Sequence, residues 1–440
     1  MKTIILLILF LIAASGIESA RAQNKIGVLL PLMKNSPENE DRKTGELILK
    51  GIKDEITDYK SSGLSNQNIE LIIEDTKRDN NVTLELINKL GSDKDVIAIF
   101  GPIYSSELVN NTGAAEFHKI PIITPTATSN ELAKNNPYVF QLNPVYDTRG
   151  RLIAKYSIKE LGMTNFIVLS ESSYGKLYAD SFIDEVSNNK GSIKGQEYYN
   201  KENPDFGTHI ENLKAQILAE DEFIDFGNID KAGLDKIRKR QAAFYNIDSL
   251  VQHSIAVSIY KLFGKNGKTV VDSLKLNALK ITDKAKKIIP GKVDAIYMPI
   301  SGSDEIASLL TEIELSGLIL TLLGTSDWNN EKALDENKAK FKSLYIESDF
   351  YLSDLSNEYL SEINEEDYKN FYFGYDGMKT ILDLISKGMN TREKLNESLE
   401  TLSNYKTNHN LISIKNRSNA SLNILKFTDS GLVKITDYVY

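Results

Sequence analysis

The 440-residue sequence contains no cysteine, only four histidines and a single tryptophan. Without cysteine the chain can form no disulfide, no thiolate metal site and no cysteine nucleophile. It also lacks the residue that carries the lipid of a bacterial lipoprotein. The four histidines are scattered, and none has a partner at the helical spacing of a zinc site. We therefore expect neither a metal nor a cofactor.

Signatures of catalysis and of nucleotide binding are also missing. The sequence has no phosphate-binding loop, no GxGxxG fingerprint and no GxSxG elbow. Acidic runs such as Glu365–Asp367 lie in polar helical stretches, where a solvated surface is the better explanation. With 52 basic and 61 acidic side chains the net charge is −9, and no basic block stands out. We predict that the protein is not an enzyme and does not bind nucleic acid.

One apolar run stands at the very start of the chain. Lys2 precedes an unbroken apolar run of 11 residues, Ile4–Ala14, and Ala20-Arg21-Ala22 has the small-x-small pattern cut by signal peptidase. The run is shorter than the roughly 20 residues of a membrane-spanning helix. A buried N-terminal helix is the alternative. We predict a signal peptide over residues 1–22, removed after Ala22, and a periplasmic mature protein without membrane insertion.

From Lys25 onward, short β-rich apolar runs alternate with longer stretches of helical periodicity. The predicted strands are 25–31, 69–74, 96–100, 121–124 and 138–142, then 165–170, 294–300, 319–324 and 344–348. Near-continuous apolar strands separated by helices are typical of a parallel sheet covered on both faces. The two series predict an α/β protein with two doubly wound parallel-sheet lobes. Two more helices and two β-like runs follow residue 357.

Residues 219–291 interrupt the second series. This stretch is charged, leans towards helix and is rich in lysine and aspartate. It is also far longer than the handful of residues that usually connects a helix to the next strand. We interpret it as an insertion packed on, or protruding from, the second lobe. Its sequence indicates no particular chemistry.

Polar loops follow four of the predicted strands. Ligands of doubly wound sheets bind outside the carboxyl ends of the strands, where helix N-termini converge. Each loop alone is equally explained by helix capping or turn chemistry. Together, and split between two similar lobes, they favour a binding site. The loops are Gly101–Ser106, Thr124–Ser129, Ser170–Gly175 and Gly324–Trp328.

Several of these segments resemble the type I periplasmic binding proteins of the leucine/isoleucine/valine-binding group. The resemblance is most specific in Ile-Pro-Ile-Ile-Thr-Pro-Thr-Ala-Thr at 120–128, and also includes 26–32, 101–106 and Tyr174-Gly175. It implies two lobes joined by a three-crossover hinge. Lobe one would be 24–143 and 351–415, and lobe two 144–350 and 416–440. The implied function is hinge closure around an amino acid or similar small polar ligand, with an ABC permease as partner.

The resemblance also implies which residues contact the ligand. Ser105 and Thr128 correspond to the residues that hold the ligand's carboxylate and ammonium groups, and the backbone of Thr126 contributes. Tyr174 matches the tyrosine of the family's Tyr-Gly loop. Asp327 is one position out of register with the family's acidic partner for the ammonium, and Ser301 stands where an aromatic residue is expected. The predicted ligand contacts are Ser105, Ser106, Thr126, Thr128, Tyr174, Ser301, Asp327 and Trp328.

A second resemblance keeps another function open. Residues 299–305 and 322–329 are similar to the periplasmic binding-like domain of penicillin-binding protein activators. Those proteins share the fold but regulate cell-wall synthases instead of delivering solutes. They are typically lipoproteins, and the missing cysteine counts against this reading. A regulator or sensor that contacts a cell-wall synthase is therefore the alternative to a transport protein.

Overall fold

A computed structural model describes residues 24–440, except 35–36, 38, 64–67, 135, 220, 242–245, 282–285 and 353–362. The predicted signal peptide, residues 1–22, lies outside the described residues. Within them, no helix has both the length and the apolar character that a membrane crossing needs. The chain divides into two compact units. Unit 1 comprises Met1–Val145 and Leu352–Ala420, and unit 2 comprises Tyr146–Tyr351 and Ser421–Tyr440.

The described residues form nineteen strands and sixteen α-helices. The strands are β1 (Asn24–Leu30), β2 (Ile69–Asp75), β3 (Val96–Phe100), β4 (Ile122–Thr124), β5 (Val139–Gln141), β6 (Asn165–Glu171), β7 (Ser192–Tyr199), β8 (Phe223–Asp225), β9 (Ala256–Ser258), β10 (Ile288–Ile289), β11 (Ala295–Met298), β12 (Thr321–Gly324), β13 (Ser343–Ser348), β14 (Tyr405–Lys406), β15 (Leu411–Ile412), β16 (Ile414–Lys415), β17 (Ser418–Asn419), β18 (Ser421–Thr428) and β19 (Gly431–Val439). The helices are α1 (Glu40–Ser61), α2 (Asn80–Ser92), α3 (Ser105–Leu108), α4 (Thr112–His118), α5 (Glu131–Lys134), α6 (Tyr146–Lys159), α7 (Tyr174–Asn188), α8 (Phe206–Leu218), α9 (Lys231–Gln241), α10 (Ile247–Gln252), α11 (Ile259–Phe263), α12 (Gly267–Leu274), α13 (Ile306–Ser316), α14 (Glu331–Glu336), α15 (Tyr368–Ser386) and α16 (Arg392–Glu400).

Unit 1 is built on a seven-stranded sheet in the order β16-β17-β5-β4-β3-β1-β2. All neighbouring strands pair in parallel except β16, which runs antiparallel to β17. Both faces of the sheet are covered. Val28 and Leu30 lie in the core formed with α1 and α15, whereas Leu29 lies in the core formed with α2. This burial on both faces explains why the strands read as continuous apolar runs.

Unit 2 repeats this plan with a sheet in the order β19-β18-β13-β12-β11-β6-β7. Strands β7, β6, β11, β12 and β13 are parallel, and β18 and β19 are antiparallel. Helices lie on both sides, so the predicted fold class, two mixed α/β lobes with parallel sheets, is confirmed. Strand β7 was not predicted. It is an edge strand with several partly exposed side chains, so its sequence shows no continuous apolar run.

The chain passes between the units three times, after Val145, Tyr351 and Ala420. The predicted third boundary, after Lys415, needs correction because it falls inside the hairpin of β16 and β17. Ser418 pairs with Gln141 of β5, and Asn419 Nδ2 donates a hydrogen bond of 3.2 Å to Leu142 O. These contacts attach residues 416–420 to the sheet of unit 1.

The insertion, residues 219–291, is a folded subdomain that contains the four helices α9 to α12, in agreement with its helix-leaning sequence, together with a small sheet that was not predicted. Strands β8, β9 and β10 form a separate sheet, and this subdomain has its own apolar core. The buried Asp221 joins its two ends, since its carboxylate accepts hydrogen bonds from Ser258 Oγ at 2.6 Å and from Gly291 N at 2.9 Å. The sheet could not be predicted from the sequence because the strands β8, β9 and β10 have only two or three residues each.

Helices α1 and α15 approach closely on one face of unit 1. A Cβ atom on Gly51 would lie 2.0 Å from Phe371 O, and one on Gly374 would lie 2.1 Å from Ile48 O. Only glycine allows this backbone separation. Near this contact, burial raises the pKa of Glu55 to about 7, although Lys379 and a hydrogen bond from Tyr375 act in the opposite direction.

Glu55 should make the stability of the protein depend on pH. The pKa of Glu55 is about 7 in the folded protein, above its ordinary value of 4.5, so the folded chain holds the proton more tightly than the unfolded chain. The contribution of protonated Glu55 to the free energy of unfolding is fully present below about pH 4.5 and is lost as pH rises through about 7. The change amounts to at most about 3 kcal/mol. Urea unfolding at pH 5 and pH 8 should show the loss in the wild type and not in Glu55→Gln. The control variant Asp54→Asn, which changes the neighbouring carboxylate, should show the same loss of stability as the wild type. Equal losses in the wild type and in Glu55→Gln would refute the assignment.

Candidate ligand-binding site

The loops after β3 and β4 meet at the carboxyl edge of the sheet in unit 1. Ser105 begins α3, and its Oγ accepts hydrogen bonds of 3.2 Å from the backbone N–H groups of both Thr128 and Ser129. Ser105 and Thr128 are both half-buried. A hydroxyl that accepts two hydrogen bonds can still donate its own proton, for example to a carboxylate. The structure therefore brings these two predicted residues together.

The turn that carries Thr126 and Thr128 is held from several sides. Thr126 Oγ1 donates to Ile103 O at 2.5 Å. The buried Gln141 donates from Nε2 to Ala127 O and to Ser129 O, both at 3.0 Å. Because Gln141 lies in β5, the sheet itself fixes the turn. Backbone groups here are thus set in place before any ligand arrives.

Ser106, the other predicted serine, has a different environment. It is exposed, and its Oγ accepts a hydrogen bond of 2.6 Å from Arg78 Nη1. The guanidinium of Arg78 also lies over the ring of Tyr104, 3.6 Å from its centroid. Burial, followed by a hydrogen bond to Asp41, raises the pKa of Tyr104 to about 12. Sequence reasoning missed Arg78, although it follows the predicted strand 69–74 and so obeys the rule used for the other loops.

The loop after β1 is closed to a ligand anion by the protein itself. The carboxylate of Asp75, at the end of β2, accepts hydrogen bonds from the N–H groups of Leu32 at 2.9 Å, Met33 at 3.0 Å and Lys34 at 3.4 Å. Burial raises the pKa of Asp75, but these hydrogen bonds and one from Lys77 outweigh it and leave the pKa below its usual value. These three N–H groups are therefore not available to a ligand.

In unit 2, Tyr174 belongs to a cluster of three tyrosines. The hydroxyl of Tyr146 donates to that of Tyr174 at 2.6 Å, and their ring centroids are 4.8 Å apart. The ring of Tyr178 lies 5.1 Å from that of Tyr146. The side chain of Tyr174 is 43% exposed, so it can contact a solute. Burial and its hydrogen bond with Tyr146 raise the pKa of Tyr174, which keeps the phenol neutral.

Asp327 follows β12 and interacts electrostatically with this cluster. Its negative charge contributes to the raised pKa values of Tyr174, Tyr178 and Tyr297, in each case after the larger effect of burial. Thr325 Oγ1 donates a hydrogen bond of 3.3 Å to Asp327 Oδ2. A carboxylate beside tyrosine rings is suited to an ammonium group, which both the charge and the ring faces attract.

A buried ion cluster that sequence reasoning missed supports this edge. Arg149 of α6 is 2% exposed and lies 2.6 Å from Asp349 Oδ2 and 3.5 Å from Glu347 Oε2. It also donates to Ser326 Oγ at 2.7 Å, next to Asp327. Arg149 lies one helical turn before Leu152 and two turns before Tyr156, and so on the same apolar face of α6. This spacing was the only feature of the sequence that indicated its burial. Nothing in the sequence indicated which acids it would meet.

Two of the predicted contacts have other roles. Trp328 is fully buried, and its Nε1 donates to Met298 O at 2.8 Å, which corrects the expectation that this indole faces a ligand. Ser301 Oγ donates to Glu305 Oε1 at 2.9 Å. Glu305 also accepts a hydrogen bond from the buried Tyr199. We therefore regard Ser301 mainly as part of the turn before α13.

The first turn of α7 is likewise occupied. The carboxylate of Glu171 accepts hydrogen bonds from the N–H groups of Ser173 at 2.7 Å, Tyr174 at 2.6 Å and Gly175 at 3.0 Å. Burial raises the pKa of Glu171, but these bonds leave it below its usual value. The first turn of α7 thus has these N–H groups already bonded within the protein. No cluster of three or more metal-binding side chains occurs in the described part of either unit.

Comparisons with known proteins agree with this architecture. The model of the periplasmic binding protein family matches residues 24–217. A search among curated protein sequences finds no match. Among solved structures, a putative branched-chain amino acid ABC transporter from Rhodospirillum rubrum has a TM-score of 0.65 and 15% identity, covering 94% of this chain and 100% of its own.

Two further solved structures were determined with ligands. The branched-chain amino acid transporter substrate-binding protein LivJ from Streptococcus pneumoniae, in complex with isoleucine, has a TM-score of 0.52 and 16% identity, covering 94% of this chain and 99% of its own. A solute-binding protein of an ABC transporter from Rhodopseudomonas palustris, in complex with 3,4-dihydroxybenzoic acid, has a TM-score of 0.52 and 15% identity, covering 95% and 98%. Identities this low establish the fold. Residues 24–217 match the model of the periplasmic binding protein family, and the chain as a whole has the type I periplasmic binding protein fold.

Proposed function

We propose that the protein is a periplasmic solute-binding protein that takes up an amino acid, or a similar small polar molecule, for an ABC transporter. The observation that carries this proposal is the pair of hydrogen bonds from Thr128 N and Ser129 N to Ser105 Oγ. Together with the bonds from Gln141, they hold a hydroxyl and a turn ready at the carboxyl edge of the sheet. Edges of this kind bind ligands in doubly wound proteins.

The two units offer complementary chemistry. Around Ser105 and Thr128, hydroxyl groups can donate to a carboxylate. Around Asp327 and Tyr174, a carboxylate and neutral tyrosine rings can accept an ammonium group. A zwitterion carries both of these groups. Such a ligand would stabilise the state of the protein that binds it, because a ligand shifts a conformational equilibrium towards the state that it binds more tightly.

The charged groups of the two clusters narrow the chemical class of the proposed ligand. The solved relatives were crystallised with isoleucine and with 3,4-dihydroxybenzoic acid, both of which carry a carboxylate. The clusters here add Asp327, whose charge disfavours a dihydroxybenzoate and favours an amino acid. We therefore place amino acids first and aromatic acids second. Family and structural relatives are solute-binding proteins, and we propose no catalytic activity.

Thermal unfolding of residues 23–440 in the presence of candidate ligands tests this function. The protein should first be unfolded and refolded to remove any ligand that copurified. At a ligand concentration of 100 times Kd, binding adds about 2.7 kcal/mol to the stability of the folded state, which gives a readily measured rise in Tm. We expect a selective rise with one class of amino acid. No response to any amino acid or aromatic acid would overturn the proposal.

The regulatory alternative rests on sequence similarity in 299–305 and 322–329. In the structure the most distinctive residues of these segments, Trp328 and Ser301, serve the core and a turn. These two internal contacts do not by themselves favour a protein partner. Capture of a cell-wall synthase by a protein that binds no solute would nevertheless support the alternative.

A further inference from the structure

The insertion contains a cavity that is separate from the residues discussed so far. Its volume is about 270 Å³, just below the range of about 300–1,000 Å³ usual for small-molecule sites. It lies among β8, α9 and the segment that follows α12. The lining residues that matter here are Ile224, Asp225, Ile229, Lys236, Lys275 and Leu276.

The acidic residues of this cavity are already satisfied within the protein. Asp225 pairs with Lys286 Nζ at 2.6 Å and accepts hydrogen bonds from Asn228 Nδ2 at 2.7 Å and Gly227 N at 2.9 Å. Burial raises the pKa of Asp225, but these partners leave it below its usual value. Asp230 Oδ1 accepts a hydrogen bond of 2.6 Å from Gly233 N and so caps α9. Neither carboxylate needs a ligand cation.

The two lysines that line the cavity, unlike its aspartates, have no such partners among the described residues. Across the residues that the structure describes, Lys236 and Lys275 have no ion pair and no hydrogen bond from the side chain. Both line the same cavity. The insertion as a whole carries 13 basic and 9 acidic side chains, a net charge of +4, in a protein whose net charge is −9. This local excess attracts anions.

The remaining wall is apolar. Ile229, Leu276 and Leu279 are each only partly buried and border the cavity together with the buried Ile224. Apolar area of this kind gains free energy when a ligand removes it from water. We propose that the cavity binds a small amphipathic organic anion, whose acidic head contacts Lys236 and Lys275 and whose apolar body lies against these side chains. The site does not depend on the proposed transport function.

Calorimetry with three probes of equal chain length tests the charge and the apolar contact. The probes are octanoate, octanol and octyltrimethylammonium, each titrated as a monomer into residues 23–440. We expect octanoate to bind at least tenfold more tightly than the neutral or the cationic probe, and acetate not to bind measurably. Equal binding of all three octyl probes, or no octanoate binding at millimolar concentration, would overturn the proposal.

Charge reversal then locates the site. Lys236→Glu and Lys275→Glu should each weaken octanoate binding at least tenfold, whereas Lys265→Glu, at an exposed position of the same insertion that does not line the cavity, should leave it within twofold. Circular dichroism and the Tm verify that each variant is folded. The amino-acid response of the variants should be unchanged, so a failure here is distinguishable from a failure of the transport function. Octanoate binding that survives both cavity substitutions in folded protein would place the anion elsewhere and refute the site.

Discussion

Arg149→Met is expected to lower the free energy of unfolding by about 3–5 kcal/mol, the usual cost of removing one partner from a buried ion pair. Glu347 is fully buried and Asp349 is 7% exposed. The substitution removes the guanidinium that lies 3.5 Å and 2.6 Å from these two carboxylates. Urea unfolding followed by circular dichroism measures the loss.

Two comparisons separate charge from packing in this experiment. Arg151→Met alters the next arginine on α6, which pairs with Asp147 at 2.9 Å and is 19% exposed, and should cost no more than about 1 kcal/mol. The triple variant Arg149→Met, Glu347→Gln, Asp349→Asn should regain part of the lost stability, because no buried charge is then left alone. The assignment is wrong if Arg149→Met is as stable as the wild type, or if neutralising the two acids gives no recovery.

The double variant Ser105→Ala, Thr128→Ala is expected to weaken binding of the selected amino acid at least about 100-fold while the protein remains folded. Hydrogen bonds to charged groups contribute about 1.5–3 kcal/mol each, and two such losses amount to that factor or more. Both residues are half-buried at the rim of the sheet, so their removal should cost the fold only about 1–2 kcal/mol. Isothermal titration calorimetry gives the affinity and thermal unfolding the stability.

Ser92→Ala provides the matched control for this pair. Ser92 lies at the end of α2, where its Oγ donates to Asn88 O at 2.8 Å and contacts neither candidate loop. The affinity of the Ser92→Ala variant for the amino acid should equal that of the wild type. Tight binding by the double variant would show that Ser105 and Thr128 do not hold the ligand, even if the protein binds solutes.

Much of the fold could be predicted because its cause is local. Strands such as β1 and β3 are buried on both faces, so nearly every residue in them is apolar and the pattern is visible in the sequence. The exceptions have equally physical causes. β7 is an edge strand with exposed positions, and the strands of the insertion are too short to show periodicity.

The candidate site was less predictable because its contacts join distant parts of the chain. The rule that polar residues after strand ends gather at one edge selected the loops that contain Ser105, Thr128, Tyr174 and Asp327, and the family resemblance selected Ser105 and Thr128 within them. The rule could not distinguish a ligand contact from a support, so Trp328 was included although its indole is buried. Arg149 lies nearly 200 residues before Glu347 and Asp349 in the sequence, and no local sequence pattern predicts an ion pair over such a separation. Their partnership exists only once the sheet is assembled.

The hydrogen bonds that Asp221 accepts from Ser258 and Gly291 bear on how a chain of this fold gains length. Because the insertion leaves and re-enters unit 2 at adjacent points, a gain or loss of the whole segment need not re-route any strand of the seven-stranded sheet. A binding protein of this architecture can thus acquire a second ligand specificity in a single genetic step while its original specificity stays under separate selection.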